Sequence, residues 1–225
     1  MSQTVETDFA TLRQAMVEVI TAYALLSSEH TNKECFDQRV MAAMAKVPRH
    51  TYVPVELQHV AYANIPLPIG HGKTISQPFI VALMTDLLDL QPDDRVLEVG
   101  TGLGYQAAVL AELVGQVYSV EIIEELGREG ERRLHRAGYN GVQVKIGDGG
   151  QGWPEHAPFD KVIATAAPEL IPPALIEQLK AGGRMVVPAG LEDQQQLLLV
   201  EKDESGRINT TEIIPVLFSR LITAH

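Results

Sequence analysis

The chain has 225 residues, 45% of them hydrophobic, which suits one large α/β domain or a core domain with a small appendage. A net charge of −11 argues against a sequence-independent grip on nucleic-acid backbones, so no nucleic-acid partner is expected. The single cysteine, Cys35, excludes an internal disulfide and a cysteine-based zinc site.

Residues 1–8 carry two acids and no basic residue, which does not read as a signal peptide. No apolar run reaches the roughly 20 residues that span a bilayer. The expectation is a soluble, cytoplasmic chain without a membrane partner. Residues 7–27 place Leu12, Met16, Val19, Ile20 and Tyr23 at helical spacing. A second helix is predicted from about residue 32 to residue 47, ended by Pro48, with Cys35 inside it as a core or half-buried thiol. Residues 51–73 contain Pro54, Pro66, Pro68, Gly70 and Gly72, the composition of an irregular, lid-like segment. A helix then starts at Ser76-Gln77-Pro78 and continues through Leu90, and Ser76 suits its N-cap.

From Arg95 the rhythm changes to strand, loop, helix. Strands are predicted at 95–99, 116–120, 142–146, 159–166 and 184–188. Helices fill the stretches to about 114, at 122–137 and at 172–179. Residues 196–201 and 213–218 suggest a terminal hairpin. This alternation predicts an α/β fold with a mostly parallel, Rossmann-like sheet of about seven strands, helices on both faces and an N-terminal helical extension. Residues 1–75 would form the helices and lid, and residues 76–225 the ligand-binding domain, within one compact unit. In such sheets ligands bind at the carboxyl edge, where the strand order switches.

The first of these strands runs into Gly100-Thr101-Gly102-Leu103-Gly104 and then a helix beginning Tyr105-Gln106. Glycines let a ligand lie against bare backbone. The G-x-G-x-G spacing is one residue short of the dinucleotide fingerprint. Glu98, just before the glycines, would repel a pyrophosphate but suits a ligand with an ammonium and a sulfonium. S-adenosylmethionine (AdoMet) has both. Glu121 ends the next strand, 21 residues after Gly100, where an acid can accept both ribose hydroxyls. Asp148 follows the third strand in Gly147-Asp148-Gly149, where it can face an adenine amino group or simply close an Asx turn. Three acids at three successive strand ends favour the methyl donor over a nicotinamide.

Residues 61–70 (AYANIPLPIG), 74–79 (TISQPF), 96–111 (VLEVGTGLGYQAAVLA), 147–160 (GDGGQGWPEHAPFD), 165–167 (TAA) and 178–190 (QLKAGGRMVVPAG) resemble the protein-L-isoaspartate O-methyltransferase family. The resemblance implies AdoMet over Gly100, Thr101, Gly102, Gly104, Tyr105 and Gln106, with Glu121 and Ile122 at the ribose and Asp148-Gly149 near the adenine. It implies Thr74-Ile75-Ser76 beside the transferred methyl, with Ser76 catalytic and S-adenosylhomocysteine (AdoHcy) as product. The implied acceptor is the free α-carboxylate of L-isoaspartyl residues in damaged proteins. The alternative is a carboxylate methyltransferase of this fold acting on a different peptide or small acid. The chain departs from the family pattern at Lys73 (usually Gln), Leu103 (usually Ser), Asn64 (often Asp) and Phe218-Ser219-Arg220-Leu221 (usually like FVPL).

A carboxylate attacking a methyl sulfonium needs no general base, because an α-carboxyl with a pKa near 3.5 is already ionised. His71 and His156 lie near the motifs without ligand spacing and read as structural, and no metal is expected.

Overall fold

The computed structural model describes residues 8–223. Seven helices and nine strands are given in chain order as α1 (Phe9–Leu26), α2 (Ser28–Thr31), α3 (Gln38–Lys46), β1 (Leu67–Gly70), β2 (Lys73–Ile75), α4 (Pro78–Leu87), β3 (Arg95–Val99), α5 (Tyr105–Ala111), β4 (Gln116–Glu121), α6 (Glu124–Arg136), β5 (Val142–Ile146), β6 (Phe159–Ala164), α7 (Pro173–Gln178), β7 (Leu179–Leu191), β8 (Gln194–Lys202) and β9 (Ile208–Val216).

Seven strands form one sheet in the order β5-β4-β3-β6-β7-β8-β9. The pairings from β5 to β7 are parallel, and β8 and β9 add two antiparallel strands at one edge. The central strands read almost continuously apolar because helices cover both faces. One core cluster joins α1, α3, α4 and α5 to one face of the sheet through Met16, Met44, Leu83, Val96 and Leu110. A second lies on the other face, around Leu97, Phe159, Leu175 and Met185. In α4 every residue except Ile80 is buried, which explains a helix that is apolar all round.

Several expectations are corrected. The second predicted helix begins at Gln38, not near residue 32. Asn32 takes a left-handed conformation that ends α2, and the Asp37 side chain caps α3 by accepting from Arg39 N. Cys35 lies in the bend between them and is exposed. The segment 51–73 is more ordered than its prolines suggest. It holds two short 3₁₀ turns, Arg49–Tyr52 and Val55–Val60, and the antiparallel ribbon of β1 and β2. Tyr52, Ala61, Leu67 and Ile69 from it are buried in the first cluster. The fifth strand of the main sheet, β7, is 13 residues long and follows α7 without a loop.

Helix α1 is 18 residues long and, by length and composition alone, apolar enough to cross a membrane, although Arg13 and Glu18 interrupt its apolar sequence. Here Met16, Ile20 and Ala24 pack into the core, while Leu12, Val19, Tyr23 and Leu26 along one flank of that stripe are exposed.

Candidate active site

The strand order reverses direction at β3, whose neighbours β4 and β6 lead to opposite edges of the sheet. The turns after these strands are tied together by continuing the ladder. Gly100 N donates to Val120 O, Gly147 N to Glu121 O and Thr165 N to Val99 O, each at 2.8 Å. The glycine loop, Glu121, the Gly147–Gly149 turn and Thr165 therefore sit side by side at the carboxyl edge.

A cavity of about 560 Å³ opens there. Its walls are the ribbon and the start of α4 (Ile69, Lys73, Thr74, Ser76, Gln77, Ile80), the sheet edge (Gly100, Gly102, Glu121, Ile122, Gly149, Thr165) and the C-terminal tail (Leu217 to Ile222). A smaller recess of about 40 Å³ beside it is lined by Ile75, Thr101, Tyr105 and Gln106 as well as Ser76 and Gly102. Of the sequence-predicted residues, Thr74, Ser76, Gly100, Gly102, Glu121, Ile122 and Gly149 thus line the main cavity. Ile75, Thr101, Tyr105 and Gln106 line the recess.

Glu98, Gly104 and Asp148 line neither. Glu98 is fully buried beneath the loop and shares the Val96 side of β3. Its Oε2 accepts from Ser119 Oγ, which is 2.5 Å from Thr101 Oγ1. Its Oε1 has no hydrogen-bond partner among the described residues. Burial pushes the Glu98 carboxyl up to about 8; the Ser119 hydroxyl opposes this rise and the negative charge of Glu121 adds to it. Gly104 is the N-cap of α5 at φ +95°, and a Cβ there would stand 2.9 Å from Leu134 Cγ. It lets α5 pack on α6. The Asp148 side chain accepts from Gly150 N at 2.8 Å, closing an Asx-type turn.

Ser76 is not the cap of α4. That position belongs to Gln77, followed by Pro78, and Gln77 makes no side-chain cap bond. The acceptor at this helix start is Asn64 Oδ1, which receives Phe79 N–H at 2.9 Å across 15 residues of chain. The Ser76 side chain faces the cavity instead. Tyr105 and Gln106 are largely committed elsewhere. The Tyr105 ring lies under the Arg49 guanidinium at 4.9 Å, and Gln106 Nε2 donates to Thr85 Oγ1.

One contact was missed from sequence, and one segment departs from the strand expected of it. Thr165 Oγ1 donates to Gly100 O at 2.7 Å and fills the space a Cβ of Gly100 would need. Its signal was membership of the 165–167 (TAA) stretch that carries the resemblance, which gave it no role; the strand before it ends at Ala164, not at residue 166. The tail 217–222 was expected as strand up to residue 218, with 218–221 placed at the substrate by the resemblance; strand β9 ends at Val216 and the tail runs on as a cavity wall. Gln195 clamps it by exchanging hydrogen bonds with Phe218, and Ala167 bonds Ser219 and Leu221 at 2.8 Å each.

The sequence model of the protein-L-isoaspartate(D-aspartate) O-methyltransferase family matches residues 21–224. Protein-L-isoaspartate O-methyltransferase 1 of Polaromonas sp. is 61% identical over 98% of this chain and 93% of its own length. The enzyme of the same name from Cupriavidus necator is 54% identical over 95% of this chain and 83% of its own length. A solved protein-L-isoaspartate O-methyltransferase superposes with a TM-score of 0.79 at 28% identity, covering 92% of this chain and 65% of that longer one. A Plasmodium falciparum structure described as a complex with AdoHcy also has a TM-score of 0.79, and at 21% identity over 97% of this chain it speaks for the fold alone. With a family match over most of its length and relatives above half identity, the chain belongs to the protein-L-isoaspartate(D-aspartate) O-methyltransferase family.

Proposed function

We propose that the protein transfers a methyl group from AdoMet to the free α-carboxylate of L-isoaspartyl residues in proteins and peptides. The observation that carries the reading is that one cavity joins the glycine loop and Glu121 to Ser76 and the C-terminal tail. A cofactor half and a substrate half then share one space.

The residues fit the methyl donor. Gly100 at φ +102° and Gly102 at φ +53° leave a bare backbone cradle, and a Cβ on Gly102 would already crowd Ile69 Cδ1 at 3.1 Å. Glu121 accepts from Gly102 N and Ile123 N, one on each oxygen. A carboxylate has lone pairs for about four hydrogen bonds, which leaves acceptors for ribose hydroxyls. The buried, half-unpaired Glu98 supplies negative charge beneath the loop on ionisation. When bound, AdoMet supplies a methyl group made electrophilic by its sulfonium.

The chain's own task is alignment and exclusion of water. Ser76 donates to one oxygen of the acceptor carboxylate and fixes the direction of the other. The β1–β2 ribbon and the tail close the sides. In this reading residues before Ser76 act as cover and those from Ser76 onward as the binding body. Positioning of this kind is worth about 7–11 kcal/mol at best. The resulting methyl ester is activated toward succinimide formation, which reopens in part to normal aspartate.

The test is transfer of labelled methyl from AdoMet to an isoaspartyl peptide and to its aspartyl twin. Methylation confined to the isoaspartyl peptide is expected. Equal labelling of both, or of neither, overturns the proposal.

A further inference from the structure

We propose that Lys73 and Arg220 form a carboxylate-binding rim on the substrate side of the cavity, and that the enzyme favours isoaspartyl peptides bearing a second carboxylate next to the isoaspartate. The inference rests on the isoaspartyl reading above and names the substrate class within it.

The two cations come from opposite ends of the chain. Lys73 opens β2 and is half-buried, whereas Arg220 lies in the tail and is exposed, yet both line the same cavity. Lys73 Nζ donates to Arg220 O at 3.4 Å, so the ribbon and the tail meet at this point. Arg220 is also held in place, because its neighbours Ser219 and Leu221 are both bonded to Ala167. Among the described residues neither cation forms an ion pair, although eleven other Lys and Arg side chains do. Among the described residues the only acid lining the cavity is Glu121, already held by two backbone donors. In a protein of net charge −11 this mouth carries two positive charges that have no ion-pair partner among the described residues. Both stand where the sequence departs from the family's usual Gln and Pro.

Their ligand is not the reacting carboxylate. That group loses its charge as the methyl is transferred, so a cation bound to it would stabilise the ground state more than the transition state. A spectator carboxylate keeps its charge throughout and gains equally in both. The rim therefore acts on KM and leaves kcat largely alone. Such a carboxylate comes either from a neighbouring Asp or Glu side chain or from a nearby chain terminus.

Three isoaspartyl peptides separate these sources: one with Glu beside the isoaspartate and an amidated end, one with Gln there and an amidated end, and one with Gln and a free terminal carboxylate. Steady-state rates at saturating AdoMet should give a KM for the Glu peptide about three- to tenfold below that of the amidated Gln peptide, the worth of one or two partly exposed ion pairs. The third peptide shows whether a terminus serves as well. The advantage should shrink at about 1 M salt, where screening acts within about 3 Å. In the Lys73→Gln, Arg220→Gln double variant the ratio of KM values should fall to near one, while Lys73→Arg should keep it. Arg220 is exposed, so Arg220→Gln alone serves if the double variant fails to fold, and it should lower the ratio. Equal KM values for the three peptides in the parent enzyme overturn the rim while leaving the isoaspartyl reading intact. So does a preference that survives the substitutions, or a loss that raises KM equally for all peptides. Methylation of none of them overturns both.

Discussion

Gly102 N–H donates to Glu121 Oε2 at 2.8 Å, so the acid that ends β4 is bonded directly to the loop that follows β3. The other oxygen accepts from Ile123 N at 3.0 Å, at the entry to α6. One side chain thus shapes the loop and the following helix start while lining the cavity. Glu121→Ala should weaken AdoHcy binding by about 1.5–3 kcal/mol, the usual worth of hydrogen bonds to a charged group. Calorimetry giving parental affinity would remove Glu121 from the cofactor site.

Gly100 and Thr165 form the second pair that cannot be changed independently. A Cβ on Gly100 would stand 2.3 Å from Thr165 Oγ1, and the backbone there is at φ +102°. Gly100→Ala should therefore carry both a clash and a backbone strain of about 1–3 kcal/mol. Thr165→Ala removes the clash but not the strain. The double variant should recover part of the loss, with a coupling of about 0.5–3 kcal/mol in denaturant melts. Full additivity of the two changes would show that the contact is relieved some other way.

Glu98 gives the ligand-free protein a pH dependence of known sign. Its carboxyl is raised from the ordinary 4.5 to about 8 by burial, so the folded chain binds a proton that the unfolded chain has already lost. The associated stability is fully present below about pH 4.5 and is lost as pH rises to about 8. Glu98→Gln, which cannot ionise, should flatten this fall. Thermal melts of parent and variant between pH 5 and 8 test it, and parallel pH profiles would sink the assignment.

The sheet and its ligand edge were legible because their signals are local. Val96 to Val99 run straight into glycines, and Glu121 and Asp148 recur at the next two strand ends. Gly100 and Gly102 needed no knowledge of their neighbours to be singled out. What stayed hidden depends on contacts far apart in sequence. Asn64 reaches across 15 residues to Phe79 N, a bond that ties the 51–73 segment to the start of α4 and supplies the acceptor that Ser76 was expected to provide. Thr165 matters only because its hydroxyl meets Gly100, 65 residues away. The tail becomes a cavity wall only because Gln195 and Ala167 bind its backbone. Gly104 shows the converse, since its motif position suggested ligand contact and its neighbours make it a packing site against Leu134.

Ser76 can be tested cleanly because it does not cap α4. Among the described residues its hydroxyl makes no hydrogen bond, and it faces the cavity. Ser76→Ala should therefore leave stability within about 0.5 kcal/mol of the parent, as for a change away from structural contacts. AdoHcy affinity should be nearly unchanged as well, since the proposed adenosine contacts are with Gly100, Gly102 and Glu121, not with Ser76. The loss should fall on the single-turnover rate with an isoaspartyl peptide. A hydrogen bond to a carboxylate is worth about 1.5–3 kcal/mol, or roughly ten- to a hundredfold in rate. Misalignment adds to this in a reaction that depends on direction more than on proton transfer. Ser76→Thr keeps the hydroxyl but adds a methyl group beside the reacting centre, so it should retain stability and recover only part of the rate. A Ser76→Ala enzyme that folds normally and turns over at the parental rate would leave the serine without a catalytic role.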